Sequence, residues 1–351
     1  MKYIYAIVPT SEKVQFGALG FGDGDPHVYT IPYRDLAAVV SDRRRVNYQT
    51  LKRREILRDL SIHQKTIEKV MQHWGVLPMK FGTLLPDGSA VIELLRKGYA
   101  PCSEKLAALK GRIEMEVVAT WDLKSMFAEI ADEEPIAQRK RALAAGAQTA
   151  TVEDRVEIGR LVKAALDARR EKYRAQLLNA LAPTAEDVNT NPLLTDEMVF
   201  NAAFLVDRRG LQILEKAVWE QDRQFDGKLN FKMIGPLPAY SFATIHAQLL
   251  TPRQVQEACQ LFGLKEQASL RQVRAAYHSL ARQLHPDMHP DDAHAQARFT
   301  EVRQAYQILA ECCASQIHHA ASGDGEDAIC SFAPTVVGGT LLLSIRRSEG
   351  Q

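Results

Sequence analysis

His285, Pro286 and Asp287 are adjacent in the chain and carry its most specific chemical content. An imidazole and a carboxylate this close could form an acid/base pair, but Pro286 separates them and no nucleophile motif accompanies them. His285, His289 and His294 raise the thought of a metal site. Pro286 and Pro290 spoil any spacing on one helical face, and no cysteine sits at finger spacing, so no metal is expected. A contact surface is the better reading. Just upstream, Arg271, Arg274, His278 and Arg282 fall on one side of a helical wheel at about 100° per residue. Leu270, Val273, Tyr277, Leu280 and Leu284 fall on the other side, and no acidic residue interrupts the stretch. Acidic and basic residues balance over 251–314, so this basicity is local. It suits an acidic protein patch better than a phosphate backbone.

The elements that must position these residues follow from local signals. Ser269 caps a helix that runs to about residue 284, and proline disfavours helix at the residue before it, so His285-Pro286-Asp287 starts an exposed loop. The next helix, about 292–309, carries Phe299, Val302, Tyr306 and Leu309 as its apolar seam. The whole of 251–314 reads as helical, with no strand pattern. Two antiparallel helices with His-Pro-Asp at the entrance of their polar loop resemble a J domain, the module by which DnaJ-class cochaperones engage DnaK-class ATPases. Glu257-Ala258-Cys259-Gln260-Leu261-Phe262-Gly263-Leu264 stands where the family's first short helix ends. Ala275-Ala276-Tyr277-His278-Ser279-Leu280-Ala281 matches its Ala-Tyr-x-x-Leu-Ala core, and Ala305-Tyr306-Gln307-Ile308-Leu309 its third helix. The usual short fourth helix is not recognisable after Cys312, and the glycine/phenylalanine-rich region and zinc-binding repeats of a full DnaJ are missing. The resemblance implies a DnaK-class chaperone as partner. Arg271, Arg274 and Arg282 would steer docking, and His285, Pro286 and Asp287 would trigger ATP hydrolysis.

The first 250 residues read as α+β. Strands are expected at 3–8, 28–31, 36–40, 76–82, 198–206, 229–234 and 240–248, and a strand with one wet face at 113–117. Residues 17–26 are a loop by composition. Helices are expected at 50–74, 89–109 and 211–219, with a helical hairpin over 129–181 whose Arg139-Lys140-Arg141 run is a solvated face. Five blocks here look like the GvpF/GvpL family of gas vesicle proteins. They are Tyr3-Ile4-Tyr5-Ala6-Ile7-Val8-Pro9, Ala37-Ala38-Val39-Val40-Ser41, Val76-Leu77-Pro78-Met79-Lys80-Phe81-Gly82-Thr83, Asn201-Ala202-Ala203-Phe204-Leu205-Val206, and Gly235-Pro236-Leu237-Pro238-Ala239-Tyr240-Ser241-Phe242. That resemblance implies two ferredoxin-like α+β domains, 1–110 and 111–248, ahead of a small all-α J domain at 249–314. It also implies a role in assembling the vesicle shell, with the shell protein and other gas vesicle accessory proteins as partners. Residues 315–351 are expected to be a linker, with 322–327 rich in glycine and acid, and an apolar tail whose residues 335–343 form a hairpin around Gly338-Gly339.

Composition narrows the rest. Lys+Arg 44 against Asp+Glu 43 argues against a surface built wholly for nucleic acid or anionic membrane. The five cysteines are too scattered for a disulfide framework and read as reduced cytosolic thiols. The apolar run after Met1-Lys2 stops at Pro9, shorter than a signal-peptide core, so a cytoplasmic protein is expected, carried to gas vesicles by its partners. No phosphate-binding glycine loop, nucleophile elbow or paired metal ligands point to an enzyme or a cofactor. A general cochaperone with unrelated clients is the alternative function.

Overall fold

The computed structural model describes all residues except 23–24, 49, 146–150, 285–287, 289–291, 293, 318–325, 338–339 and 348–351. The first unit comprises β1 (Lys2–Val8), β2 (Gln15–Ala18), β3 (His27–Tyr33), β4 (Leu36–Asp42), α1 (Arg53–Met71), β5 (Leu77–Pro78), β6 (Leu84–Leu85) and α2 (Gly88–Ala108). Its sheet runs β2-β3-β4-β1-β5, with β6 also paired to β1. A continuous apolar run from Tyr3 to Val8 puts β1 inside the sheet, with all six of those residues buried. Period two then sorts β4: Ala37 and Val39 face α1 with Ile67 and Val70, whereas Leu36, Ala38 and Val40 face α2 with Leu94 and Leu95. The Asp87 carboxylate caps α2 by accepting from the Ala90 N–H at 2.9 Å.

The second unit comprises β7 (Ile113–Thr120), α3 (Leu123–Ala131), α4 (Glu134–Ala145), α5 (Val152–Leu181), β8 (Asp187–Thr190), β9 (Met198–Val206), α6 (Arg208–Phe225) and β10 (Asn230–Leu237). Its sheet order is β10-β7-β9-β8, antiparallel throughout. In the first unit a strand meander precedes both helices, so the two units do not share one topology. The run Arg139-Lys140-Arg141 is dressed with carboxylates: Arg139 meets Asp154 and Glu157, and Arg141 meets Glu134.

The expectation of a wet face on β7 fails at Glu114, which is 1% exposed. That face turns toward the first unit, where Ala203 and Leu205 of the neighbouring β9 join the core formed by Ile4, Ile7 and Leu77. Glu114 is held there by Ser241, whose N–H and hydroxyl both donate to its carboxylate, at 2.7 and 2.8 Å.

The remaining elements are β11 (Thr244–Leu249), α7 (Pro252–Phe262), β12 (Gln267–Ser269), α8 (Leu270–Gln283), α9 (Ala295–Ile317), β13 (Ile329–Ser331), α10 (Pro334–Val337) and β14 (Leu341–Arg346). The 251–314 stretch is therefore not purely helical. The three-residue β12 pairs with β13, which lies far along the chain, and so short a strand leaves no periodic trace. The tail is not a hairpin around its glycines. A helical turn, α10, precedes a single strand, β14, which pairs antiparallel with β11 from Thr244↔Arg346 to Leu249↔Leu341. β11 in turn meets the first sheet through a bridge from Ile245 to Met79, and the Lys80 N–H donates to the Ile245 carbonyl at 2.7 Å. No helix among the described residues is long and apolar enough to cross a membrane.

Two outcomes test this packing. Leu341 of β14 is buried in the first unit's core, so Leu341→Ala should cost about 2–5 kcal/mol in urea unfolding. Half-exposed Val336 replaced by alanine should change stability by no more than about 0.5 kcal/mol. Burial raises the Glu114 carboxyl to about 7, against the pull of the Ser241 hydrogen bonds. The folded carboxyl keeps its proton to a higher pH than the unfolded one, so folding takes up a proton between the ordinary 4.5 and about 7. Its stabilising contribution is complete below that window and is lost as pH rises through it. Glu114→Gln removes the titration, so its urea midpoint should exceed the wild type's at pH 8 and converge with it near pH 4. Parallel profiles would contradict the burial.

Candidate functional site

The basic helix is built by local rules. Ser269 caps α8: its hydroxyl accepts from the Gln272 N–H, and the Gln272 side chain accepts from the Ser269 N–H. Thr251 and Gln254 make the same reciprocal cap on α7, with Pro252 in the first turn. Gly263 ends α7 at φ 63°, the left-handed backbone that glycine tolerates best. Helices α7 and α8 both pack on α9, burying Val255, Val273, Ala305 and Leu309. The Tyr277 and Tyr306 rings stack across the α8–α9 contact, with centroids 4.5 Å apart. Of the expected apolar seam of α8, Val273 is fully buried and Leu270, Tyr277, Leu280 and Leu284 are half-buried. The next helix runs unbroken to Ile317, past Cys312, where the sequence shows no separate fourth helix.

The seam leaves the basic side chains on the outer face, and they are not equivalent. Arg271 is exposed and its Nη2 lies 2.8 Å from Asp327 Oδ2. Arg274 contacts the Glu326 carboxylate. His278 is exposed, and Arg282 is exposed in the last turn without an ion pair among the described residues. His285, Pro286 and Asp287 lie outside the described residues, as does His289. Beyond the loop, Asp292 accepts from the His294 N–H at 2.8 Å and from Arg298, and these donors hold its carboxyl below the usual range. His294 thus donates a helix-start hydrogen bond through its backbone, and no group of three or more metal-ligating side chains occurs among the described residues.

Four of the five cysteines (Cys259, Cys312, Cys313 and Cys330) line the core under α7 and α9. Burial pushes the Cys259 thiol up to about 11 and that of Cys312 to about 12, and raises Cys313 further. Neutral buried thiols are poor nucleophiles and act as small hydrophobes.

A second polar cluster carries no sequence signal. The Arg43 guanidinium sits 3.7 Å above the Phe21 ring, pairs with Asp59 at 2.5 Å and donates to the Tyr48 hydroxyl at 2.5 Å. Both ionic side chains are essentially buried, at 3% and 0% exposure. Beside them the Tyr3 hydroxyl shares a hydrogen bond with His63 Nδ1 at 3.0 Å and accepts from the Gly82 N–H. Burial holds the His63 imidazole down to about 4, so it is neutral at physiological pH. The cluster ties β1, the end of β4 and α1 to the 80–83 turn through buried polar contacts. Arg43 sits in the run Asp42-Arg43-Arg44-Arg45, where local charge gives no hint that one member is buried.

The sequence profile of the family described as gas vesicle synthesis protein GvpL/GvpF matches residues 1–244. The chain belongs to that family. A DnaJ domain profile matches residues 259–313. Gas vesicle protein F of Streptomyces sp. (strain CB03234) is 30% identical over 246 residues, spanning 68% of this chain and 98% of the relative. The corresponding protein of Nostoc sp. (strain PCC 7120 / SAG 25.82 / UTEX 2576) is 30% identical over 192 residues, 54% of this chain and 78% of its own. The crystal structure of the gas vesicle protein GvpF from Anabaena sp. PCC7120 superposes with a TM-score of 0.57 at 26% identity, covering 68% of this chain and 96% of that one. For the helical part, chaperone protein DnaJ 1 of Nocardia farcinica (strain IFM 10152) is 49% identical over 51 residues, which is 13% of that protein. This is a gas vesicle protein of the GvpL/GvpF family that carries a J domain.

The buried ion pair gives this family member's first unit a measurable vulnerability. Asp59→Ala leaves the Arg43 charge buried without its carboxylate and should cost about 3–5 kcal/mol in urea unfolding. Replacing both partners, Arg43→Met with Asp59→Leu, should recover most of the loss. If the double variant is as unstable as the single one, the pair is not the source of the cost.

Proposed function

We propose that this protein is a non-enzymatic assembly factor for gas vesicles. Its first two units hold the hydrophobic shell protein or a growing vesicle together with other accessory proteins, and its J domain brings a DnaK-class chaperone to that client. The observation that carries the reading is the presence of a GvpL/GvpF region and a J domain in one chain, tied together by the β11–β14 ladder. A chaperone engaged at α8 would thus work at a set distance from whatever the body holds. We further read the strand order β10-β7-β9-β8 as a ferredoxin-like arrangement of the second unit, and take 1–110, 111–248 and 249–314 as the functional divisions. Arg271, Arg274 and Arg282 are assigned to steering, and His285, Pro286 and Asp287 to triggering hydrolysis.

ATPase assays with the cognate DnaK-class chaperone test the assignment. His285→Gln or Asp287→Asn should abolish stimulation while changing stability by no more than about 0.5 kcal/mol, as for ordinary surface replacements. Reversing Arg274 and Arg282 to glutamate should instead weaken docking in a salt-dependent way, because exposed charges mainly steer encounter. Capture of the shell protein should survive all of these changes. A wild-type protein that gives no stimulation, or an Asp287→Asn protein that stimulates equally, would overturn the chaperone half of the reading. A broad client spectrum without the shell protein would favour a general cochaperone.

A further inference from the structure

Part of the basic face of α8, at Arg271 and Arg274, is already occupied from within the chain. The segment that returns from α9 reaches the helix at Glu326 and Asp327 and meets it in three ways. The Arg271 N–H donates to the Glu326 carbonyl at 3.0 Å, the Arg271 guanidinium meets the Asp327 carboxylate at 2.8 Å, and Arg274 contacts the Glu326 carboxylate. The two acids stand against the first turns of α8, where the helix dipole also favours negative charge.

Their position is set by anchors on the C-terminal side. β13 starts two residues later and pairs in register with β12, from Gln267↔Ser331 to Ser269↔Ile329, so it lies beside the cap of α8 itself. The Phe332 N–H donates to the Glu266 carbonyl at 2.7 Å. Gln316 of α9 grips the backbone of Ser331 from both sides, accepting from its N–H and donating to its carbonyl, each at 2.8 Å. Cys330 and Phe332 are buried in the core under α9. Anchored backbone thus presents two carboxylates to two of the arginines assigned to steering.

We infer that Glu326 and Asp327 form an internal competitor for the basic face of α8, so that an acidic chaperone surface must displace them to dock. The inference rests on the chaperone reading of that face given above. The strength of the contact suits competition rather than locking. All four side chains are substantially exposed, from 42% for Arg274 to 64% for Arg271, and exposed ion pairs are individually weak and screened by salt. Tethering offsets that weakness, because the acids are always present at high effective concentration. A partner that offers several carboxylates at once can still win, and only the two side-chain contacts need to open, because the β12–β13 pairing lies beyond them. Arg282 is exposed and carries no such cover among the described residues, so among them the cover lies at the end of the basic stripe near Ser269.

The test uses the full chain with the paired substitution Glu326→Gln and Asp327→Asn, which removes both charges and keeps the side-chain shapes. Stimulation of the cognate DnaK-class ATPase is titrated at low and high salt for wild type, the paired variant and Asp287→Asn. The paired variant should reach half-maximal stimulation at a several-fold lower concentration at low salt, with an unchanged plateau, and the difference should shrink as salt rises. If wild type and the paired variant coincide at low salt while both stimulate, the competitor is overturned and the chaperone reading stands. A paired variant that needs more protein than wild type likewise overturns it, since the acids would then assist docking. If neither protein stimulates, or if Asp287→Asn stimulates as well as wild type, the chaperone reading itself falls and takes this inference with it.

Discussion

The antiparallel pairing of β11 with β14 is the constraint on which the rest of the arrangement depends. The chain enters its helical module from β11 and leaves it into β14, so both ends of the module are held at neighbouring-strand distance, about 5 Å. Its N-terminal partner is itself joined to the first sheet at Met79 and Lys80. Side chains from the returning strand complete a core that begins more than three hundred residues earlier, with Leu341 fully inside and Leu343 and Ile345 packed against it. Close approach matters here: a Cβ on Gly98 of α2 would lie 3.4 Å from the Leu343 methyls. A J domain joined through one flexible linker would sample many orientations; this one is fixed at two strands.

Polar contacts reinforce the same joint. Lys97 of α2 reaches Glu311 of α9 at 2.7 Å and the Leu341 carbonyl at 3.1 Å, stitching helix, module and tail at one point. Arg347, just past β14, donates to Asp187 at the start of β8, so the tail also touches the second unit. These pairs are partly or well exposed and individually weak. Their effect is to select one orientation among those the apolar burial would permit.

Helix α9 does two jobs because it does not stop at Cys312 but continues to Ile317. Its middle supports α8 through Ala305, Tyr306 and Leu309. Its second half carries Cys312, Cys313 and Gln316 beneath the returning segment. One rigid rod therefore sets the spacing between the basic helix and the acids that meet it. A break in α9 near Cys312 would uncouple the two.

Much of this was legible from sequence, because it is local. The cap at Ser269, the apolar seams of α8 and α9 and the family blocks all act over a few neighbouring residues. The sequence alone was therefore enough to place most of the helices and long strands and to single out Arg271, Arg274 and Arg282. What it could not determine were contacts between distant segments. Arg43 is one arginine in a charged run until Asp59 of α1 and the Phe21 ring close over it. Glu114 alternates like a solvent-facing residue, and only docking of the second sheet on the first unit buries it. The three-residue β12 and the single strand of the tail depend on partners at least 60 and 92 residues away. Local propensity describes how a residue prefers to sit, whereas burial of a charge or pairing of a short strand depends on which other surface arrives, and tertiary packing alone decides that.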